Sequence, residues 1–164
     1  MKEIETRDFD PVFEKIGKQW MLLAAEKDGR ANMMTASWGE MGELWGQYVV
    51  VFHVRPQRFT KTLIDATDRV SVSFLPEEYR KALNYCGSAT GRNEDKIKGS
   101  GLTLTYVDGV PCFEEAEATL IVRKLYAQEM DPKCFIDTSL LSRWYPDNDF
   151  HTTYVAAIEK VFVK

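Results

Sequence analysis

The sequence is poor in the features that announce the commonest chemistries. Its three cysteines, Cys86, Cys112 and Cys134, are odd in number and widely spaced, which does not suit a small secreted disulfide framework. There are two histidines, His53 and His151, and no HExxH or CxxC gives them metal-ligand company, so no metal is expected. A glycine-rich dinucleotide fingerprint, a Walker-type phosphate loop and a GxSxG elbow are all missing. No apolar run approaches the roughly twenty residues of a membrane helix, and the opening MKEIETRDFD is too charged for a secretory signal. Basic residues are in the minority, 21 Lys and Arg against 25 Asp and Glu, which argues against nucleic acid as the main partner. The expectation is a single cytoplasmic domain over residues 1–164, away from membranes.

What is present is the composition of an ordinary globular chain, 45% hydrophobic and 28% charged over 164 residues, enough to bury a core without disulfides. Strand patterns dominate. Gln19–Glu26 and Ala31–Trp38 flank an Asp28-Gly29 turn. Gln47–Val54 is nearly all apolar, as in a strand covered on both faces. Arg69–Leu75 alternates, with Val70, Val72 and Phe74 on one face and Ser71 and Ser73 on the other. Leu102–Val107, Glu117–Glu129 and Tyr154–Lys164 complete the set. Short helices are expected at Phe59–Thr67, at Glu77–Cys86 after Pro76, and at Ser139–Tyr145. In the second, Tyr79, Ala82, Leu83 and Cys86 form a buried stripe. Many short strands with few helices predict a mainly β, Greek-key barrel with helical insertions and exclude a doubly wound parallel sheet.

Three segments carry candidate chemistry. In Val54–Thr60 a strand ends in Arg55, Pro56, Gln57 and Arg58 before a helix starts at Phe59. Helix-start N–H groups, Arg58 and the Thr60 hydroxyl could cradle a phosphate; a capped surface turn with two solvated arginines fits the same residues. In Asn84–Gly101, Arg92 and Lys96 would share a face if the piece is helical and would extend a basic pocket; a solvent loop neutralised by Glu94 and Asp95 is the alternative. The Ser88–Asn93 stretch hints at a flavodoxin phosphate loop, but it sits mid-chain after a helix and is not one. In Asn32–Gly46, Ala36 and Ser37 leave a strand backbone open to a flat polar ring, with Trp38 and Trp45 to cover its face; core or interface tryptophans are the plainer account.

Taken together the blocks NMMTASWG, VRPQRFT, VSFLPEEYRKALNYCGS with TGR and DK, and YPDNDFHTTYVAAI resemble the flavin-reductase-like FMN-binding split-barrel family, in particular its flavoredoxin-type members. The resemblance covers most of the chain. It implies a split β-barrel and a homodimer with FMN near the subunit interface. It implies cofactor contacts at Thr35, Ala36, Ser37, Trp38, Arg55, Arg58, Thr60, Cys86, Gly87, Ser88, Arg92 and Lys96, with His151 on the substrate side. Ala89-Thr90 stands where His-Ser is usual in related sequences. The implied activity is an NAD(P)H-dependent flavin reductase, with NADH or NADPH as donor. The alternative is an FMN electron carrier served by a redox protein partner. In either case the flavin carries the redox chemistry, so the lack of a catalytic dyad is no argument against an enzyme.

Overall fold

The computed structural model describes residues 2–4 and 15–164. Its strands in chain order are β1 (Lys2–Ile4), β2 (Met21–Lys27), β3 (Arg30–Ala36), β4 (Gly39–Leu44), β5 (Gln47–Val54), β6 (Arg69–Phe74), β7 (Leu104–Val107), β8 (Val110–Phe113), β9 (Ala118–Glu129) and β10 (Thr152–Val163). Among the described residues four short α-helices intervene: α1 (Phe59–Ala66), α2 (Arg80–Ser88), α3 (Lys96–Ser100) and α4 (Ser139–Trp144). None of the described helices is long and apolar enough to cross a membrane.

One antiparallel sheet carries the fold, in the order β3-β2-β6-β9-β10-β5-β4, with β1 also on β10; β7 and β8 make a separate hairpin. The two end strands, β3 and β4, are consecutive in the chain and are joined only by Ser37 and Trp38. Two residues span too little for a sheet of this width to lie flat, so it must curl until its ends nearly meet. Bulges in the β9–β10 ladder, at Val155/Ala156 and Ile158/Lys160, supply local bending. The result is a split β-barrel. Its interior is filled by Leu23, Val50, Phe52, Val70, Val72, Phe74, Leu120 and Tyr154, and α1 adds Leu63 and Ile64.

The element pattern expected from sequence holds, with boundaries shifted by one to a few residues. The alternation of Arg69–Leu75 is real, yet Ser71 and Ser73 are as buried as the valines. Ser71 donates to the Pro111 carbonyl at 2.6 Å and Ser73 meets Thr119 at 3.1 Å, so the polar face is satisfied inside the protein. The stripe on α2 packs as expected: Ala82, Leu83 and Cys86 join Leu22, Met33 and Phe113 in a second core outside the barrel. Sequence pattern did not reveal β4 or β8. Strand β4 reads Gly-Glu-Met-Gly-Glu-Leu, without β-branched residues, and β8 contains Pro111.

Gly39 shows why β4 tolerates so poor a composition. A Cβ there would stand 2.4 Å from the Val51 carbonyl oxygen and 2.9 Å from Met21 Cε. The close approach of β4 to β5 therefore needs hydrogen at this position. Gly39→Ala is expected to destabilise the fold by about 2 kcal/mol, read as a lowered urea midpoint with an unchanged slope.

Candidate functional site

The split between the barrel's ends leaves β3 with one unpaired backbone edge. A cleft of about 290 Å³ lies against it, lined by Met34, Thr35, Ala36, Ser37 and Trp38 together with His53, Arg55, Arg58, Gly87, Trp144 and His151. The ladder explains why distant residues meet there. Strand β10 begins with Thr152 opposite Val54, which brings His151 to the end of β5 that carries Arg55. Lys96 donates to the Met33 carbonyl at 2.7 Å, so the backbone of Met33 faces away from β2. By the period-two alternation of a strand, Thr35 is the next residue whose N–H and C=O face the free edge. Its side chain is turned to α2, where the hydroxyl donates to the Leu83 carbonyl at 2.6 Å.

The walls are aromatic. The rings of Trp38 and Trp144 meet edge-on at 5.1 Å, and Trp38 lies 5.1 Å from His151. Both tryptophans keep about two-fifths of their surface exposed, 37% and 40%. His151 is 7% exposed, and its Nδ1 shares a 2.9 Å hydrogen bond with Tyr145 Oη. Burial, then the nearby charges of Arg55 and His53, lower its pKa to about 4. The imidazole is therefore neutral at physiological pH. The Tyr145 hydroxyl also reaches Met130 Sδ at 3.4 Å, and its bond to Nδ1 accommodates either tautomer of the neutral ring. His53 is held through Nδ1 to Thr153 at 3.0 Å, and its Nε2 stands 3.5 Å from Glu40.

Of the residues expected from sequence, the cleft brings together Thr35, Ala36, Ser37, Trp38, Arg55, Arg58, Gly87 and His151. Thr60, Cys86, Ser88, Arg92 and Lys96 do not line it. Thr60 is 1% exposed and its hydroxyl accepts from Asn32 Nδ2 at 2.9 Å. The Cys86 thiol lies in the second core, and burial pushes its pKa up to about 11. Ser88 bonds back to the Asn84 carbonyl at 3.1 Å. Lys96 is 3% exposed and donates to the carbonyls of Met33 and Cys86, at 2.7 and 2.8 Å. Burial and, to a lesser extent, Arg58 lower its pKa to about 8. Arg92 lies in a turn before α3, so it shares no helical face with Lys96.

The two arginines of RPQR have different occupations. Arg58 donates to the Cys86 carbonyl at 3.1 Å, and burial lowers its pKa. Arg55 pairs with Asp149 and donates to the Trp144 carbonyl at 2.8 Å, while Gln57 reaches Asp149 at 2.9 Å. Arg55 thus clasps the segment that carries Trp144 over the cleft. His53 and Trp144 are cleft residues that sequence reasoning did not single out. His53 belongs to an apolar strand, and Trp144 sits in a short helix without a motif.

The comparisons with known proteins agree with this fold. The family model described as the flavin reductase like domain matches residues 13–161. The chain belongs to the flavin reductase-like family. Among solved structures, the flavoredoxin of Methanosarcina acetivorans is 20% identical with a TM-score of 0.71, over 89% of this chain and 68% of its own. An FMN-binding protein from Thermus thermophilus with bound p-hydroxybenzaldehyde is 21% identical with a TM-score of 0.71, over 100% and 82%. The NADH:FAD oxidoreductase SgcE6 of Streptomyces globisporus is 15% identical with a TM-score of 0.68, over 89% and 75%. No curated protein sequence matches significantly. At these identities the structures attest the split-barrel fold.

The neutral His151 gives a pH test. Between about pH 6.5 and 4 the unfolded chain binds a proton at this imidazole that the folded protein does not. Stability therefore falls as pH drops through that window, and the loss is complete below about pH 4. His151→Gln should flatten that part of the curve by up to about 3 kcal/mol, measured by urea unfolding at several pH values.

Proposed function

We propose that this chain binds FMN in the cleft along β3 and works as an NAD(P)H-dependent flavin reductase. The observation that carries the reading is the unpaired edge of β3 at the floor of an aromatic-walled cleft, in a member of the flavin reductase-like family. The free N–H and C=O groups of a strand edge are a template for a partner that hydrogen-bonds in register. The polar rim of an isoalloxazine offers alternating donors and acceptors that suit it. Bound FMN supplies reversible two-electron chemistry.

The chain's own residues hold and orient. The backbone at Thr35–Ser37 meets the ring's polar edge, and Trp38 covers one side. Arg58 faces the anionic part of the nucleotide. On the opposite wall, His151 presents a neutral imidazole to the substrate, and Trp144 limits access. We also propose a homodimer. Trp45 (60% exposed), Tyr126 (43%) and Leu44 (39%) form an apolar patch on the β4–β5 and β9 side, with Trp45 and Tyr126 rings 6.4 Å apart. A second copy would bury it. The second reading is an FMN electron carrier reduced by a partner protein. It is favoured by the lack of any nicotinamide motif and by the cover that Trp144 places over the cleft.

Purified protein should be yellow or take up added FMN with a flavin spectrum. Anaerobic NADH or NADPH should then bleach it within seconds. Bleaching only by dithionite or a reduced redox protein would replace the reductase by the carrier. A protein that stays colourless with excess FMN would overturn both.

A further inference from the structure

Strand β9 ends at Glu129 and β10 starts at Thr152, and the excursion between them is fastened at its feet. The Met130 N–H donates to the His151 carbonyl at 2.9 Å. The rings of Phe135 and Tyr145 lie 5.8 Å apart, and Tyr145, itself buried, stacks on Phe150 at 4.8 Å. Between those two feet the chain buries nothing. Residues 136–144 are exposed or only partly covered, Ile136 stands fully in solvent, and α4 has no buried residue. A segment without buried side chains has little packing to hold it in one place. Yet its last residue, Trp144, stands edge-on to Trp38 in the wall of the cleft.

A guanidinium holds Trp144 there. Arg55 Nη2 donates to the Trp144 carbonyl at 2.8 Å, in a solvent-exposed bond, while Arg55 Nη1 donates to Asp149 Oδ2. Gln57 Nε2 donates to the same Oδ2 at 2.9 Å. Two donors thus crowd one oxygen of the carboxylate. The other, Oδ1, is buried and accepts no hydrogen bond from the described residues. Arg55, then Gln57 and more weakly the Asp149 main-chain N–H, keep this carboxyl below the usual carboxylate range, so Oδ1 is an acceptor at neutral pH. A buried acceptor without a donor costs free energy. An arginine fork laid on a carboxylate ordinarily uses both oxygens. Arg55 has the fork and the carboxylate, and spends its second nitrogen on the Trp144 carbonyl instead.

We infer that residues 136–144 form a lid on the cleft, latched by the Arg55 bond to the Trp144 carbonyl, and that the spare oxygen of Asp149 is the second seat of the same guanidinium, taken when the lid opens. Closed, Arg55 bridges Trp144 and Asp149. Open, its two Nη groups lie on the two Asp149 oxygens, and the Trp144 carbonyl turns to water. The guanidinium makes as many hydrogen bonds in one state as in the other, so a ligand that favours either state shifts the balance. Tyr145 is the pivot, because its ring stays packed on Phe150 with the Arg55 guanidinium 5.3 Å over it. Arg55 is thereby a positioning residue that sets where Trp144 stands. That the lid governs a second molecule's access to a flavin rests on the flavin reading above; the latch itself does not.

The test labels the full chain with 5-fluorotryptophan and follows it by fluorine NMR without flavin, the Trp144 line being identified by its loss in Trp144→Phe. Wild type should show this line in exchange between two positions by relaxation dispersion. Arg55→Gln removes the latch, and the open population should rise about tenfold, moving the Trp144 line toward its position in the urea-unfolded chain. Asp149→Asn leaves the latch but removes the second seat, because an amide nitrogen does not accept; the open population should fall about tenfold and the exchange should vanish. A pair with a merely structural role would move the line the same way in both variants. That result, or a Trp144 line without exchange in wild type and unmoved in Asp149→Asn, would overturn the latch, and Asp149→Asn carries the test even if Arg55→Gln folds poorly. With riboflavin bound, release should be about tenfold faster in Arg55→Gln and slower in Asp149→Asn. A wild type that binds no flavin would overturn the flavin reading, while the fluorine result still decides the latch.

Discussion

The two-residue join between β3 and β4 is the constraint on which the rest depends. A sheet whose first and last strands follow one another in the chain through Ser37 and Trp38 has to bring its ends together. It does so without hydrogen-bonding them. The gap left open is the cleft, and the join itself places Trp38 at its mouth. Gly39 belongs to the same constraint, because β4 must turn at once onto β5, within 2.4 Å of where a Cβ would meet the Val51 carbonyl. Closure, cleft and aromatic wall thus follow from one connection.

The second ordering element is the carbonyl of Cys86. It lies near the C-terminal end of α2, where helix carbonyls are unpaired and carry partial negative charge. Arg58 and Lys96 both donate to it, at 3.1 and 2.8 Å. This anchors the start of α1, the end of α2 and the start of α3 around one oxygen, and Lys96 extends the tie to β3 through Met33. Lys96 is thereby a positioning residue with its charge spent inside the protein.

Much of this was legible in the sequence, for a physical reason. Gln47–Val54 and Val70–Phe74 have the apolar period of strands, and α2 has its stripe, so local pattern and tertiary packing agree there. Strand β4 was hidden because its place at the sheet end is set by topology and close approach, with little side-chain burial to leave a pattern. The basic character around RPQRFT and Gly91–Lys96 was legible too, but not its division of labour. Arg55 and Arg58 are two residues on either side of a turn, and sequence gives them the same chemistry. Only the fold shows that one holds Asp149 while the other reaches Cys86. The stacking of Arg30 and Arg92 on Phe59 lay beyond reach altogether, since it joins residues far apart in the chain.

The arrangement also separates holding from chemistry. The groups proposed to hold the flavin lie on a strand and at a helix start: the β3 edge and Arg58. The opposite wall belongs to the segment from α4 to His151, held by the Arg55–Asp149 pair, by Gln57 and by the Tyr145–His151 hydrogen bond. A change in that segment would alter which second molecule reaches the ring while leaving the nucleotide in place. This is the physical basis on which one split barrel can serve a reductase, which must admit a nicotinamide, or a carrier, which need only bring its flavin near a partner's surface. On the proposed reading, access to the ring is set by where Trp144 stands against Trp38, and hence by the Arg55 clasp on the Trp144 carbonyl rather than by the residues proposed to hold the cofactor.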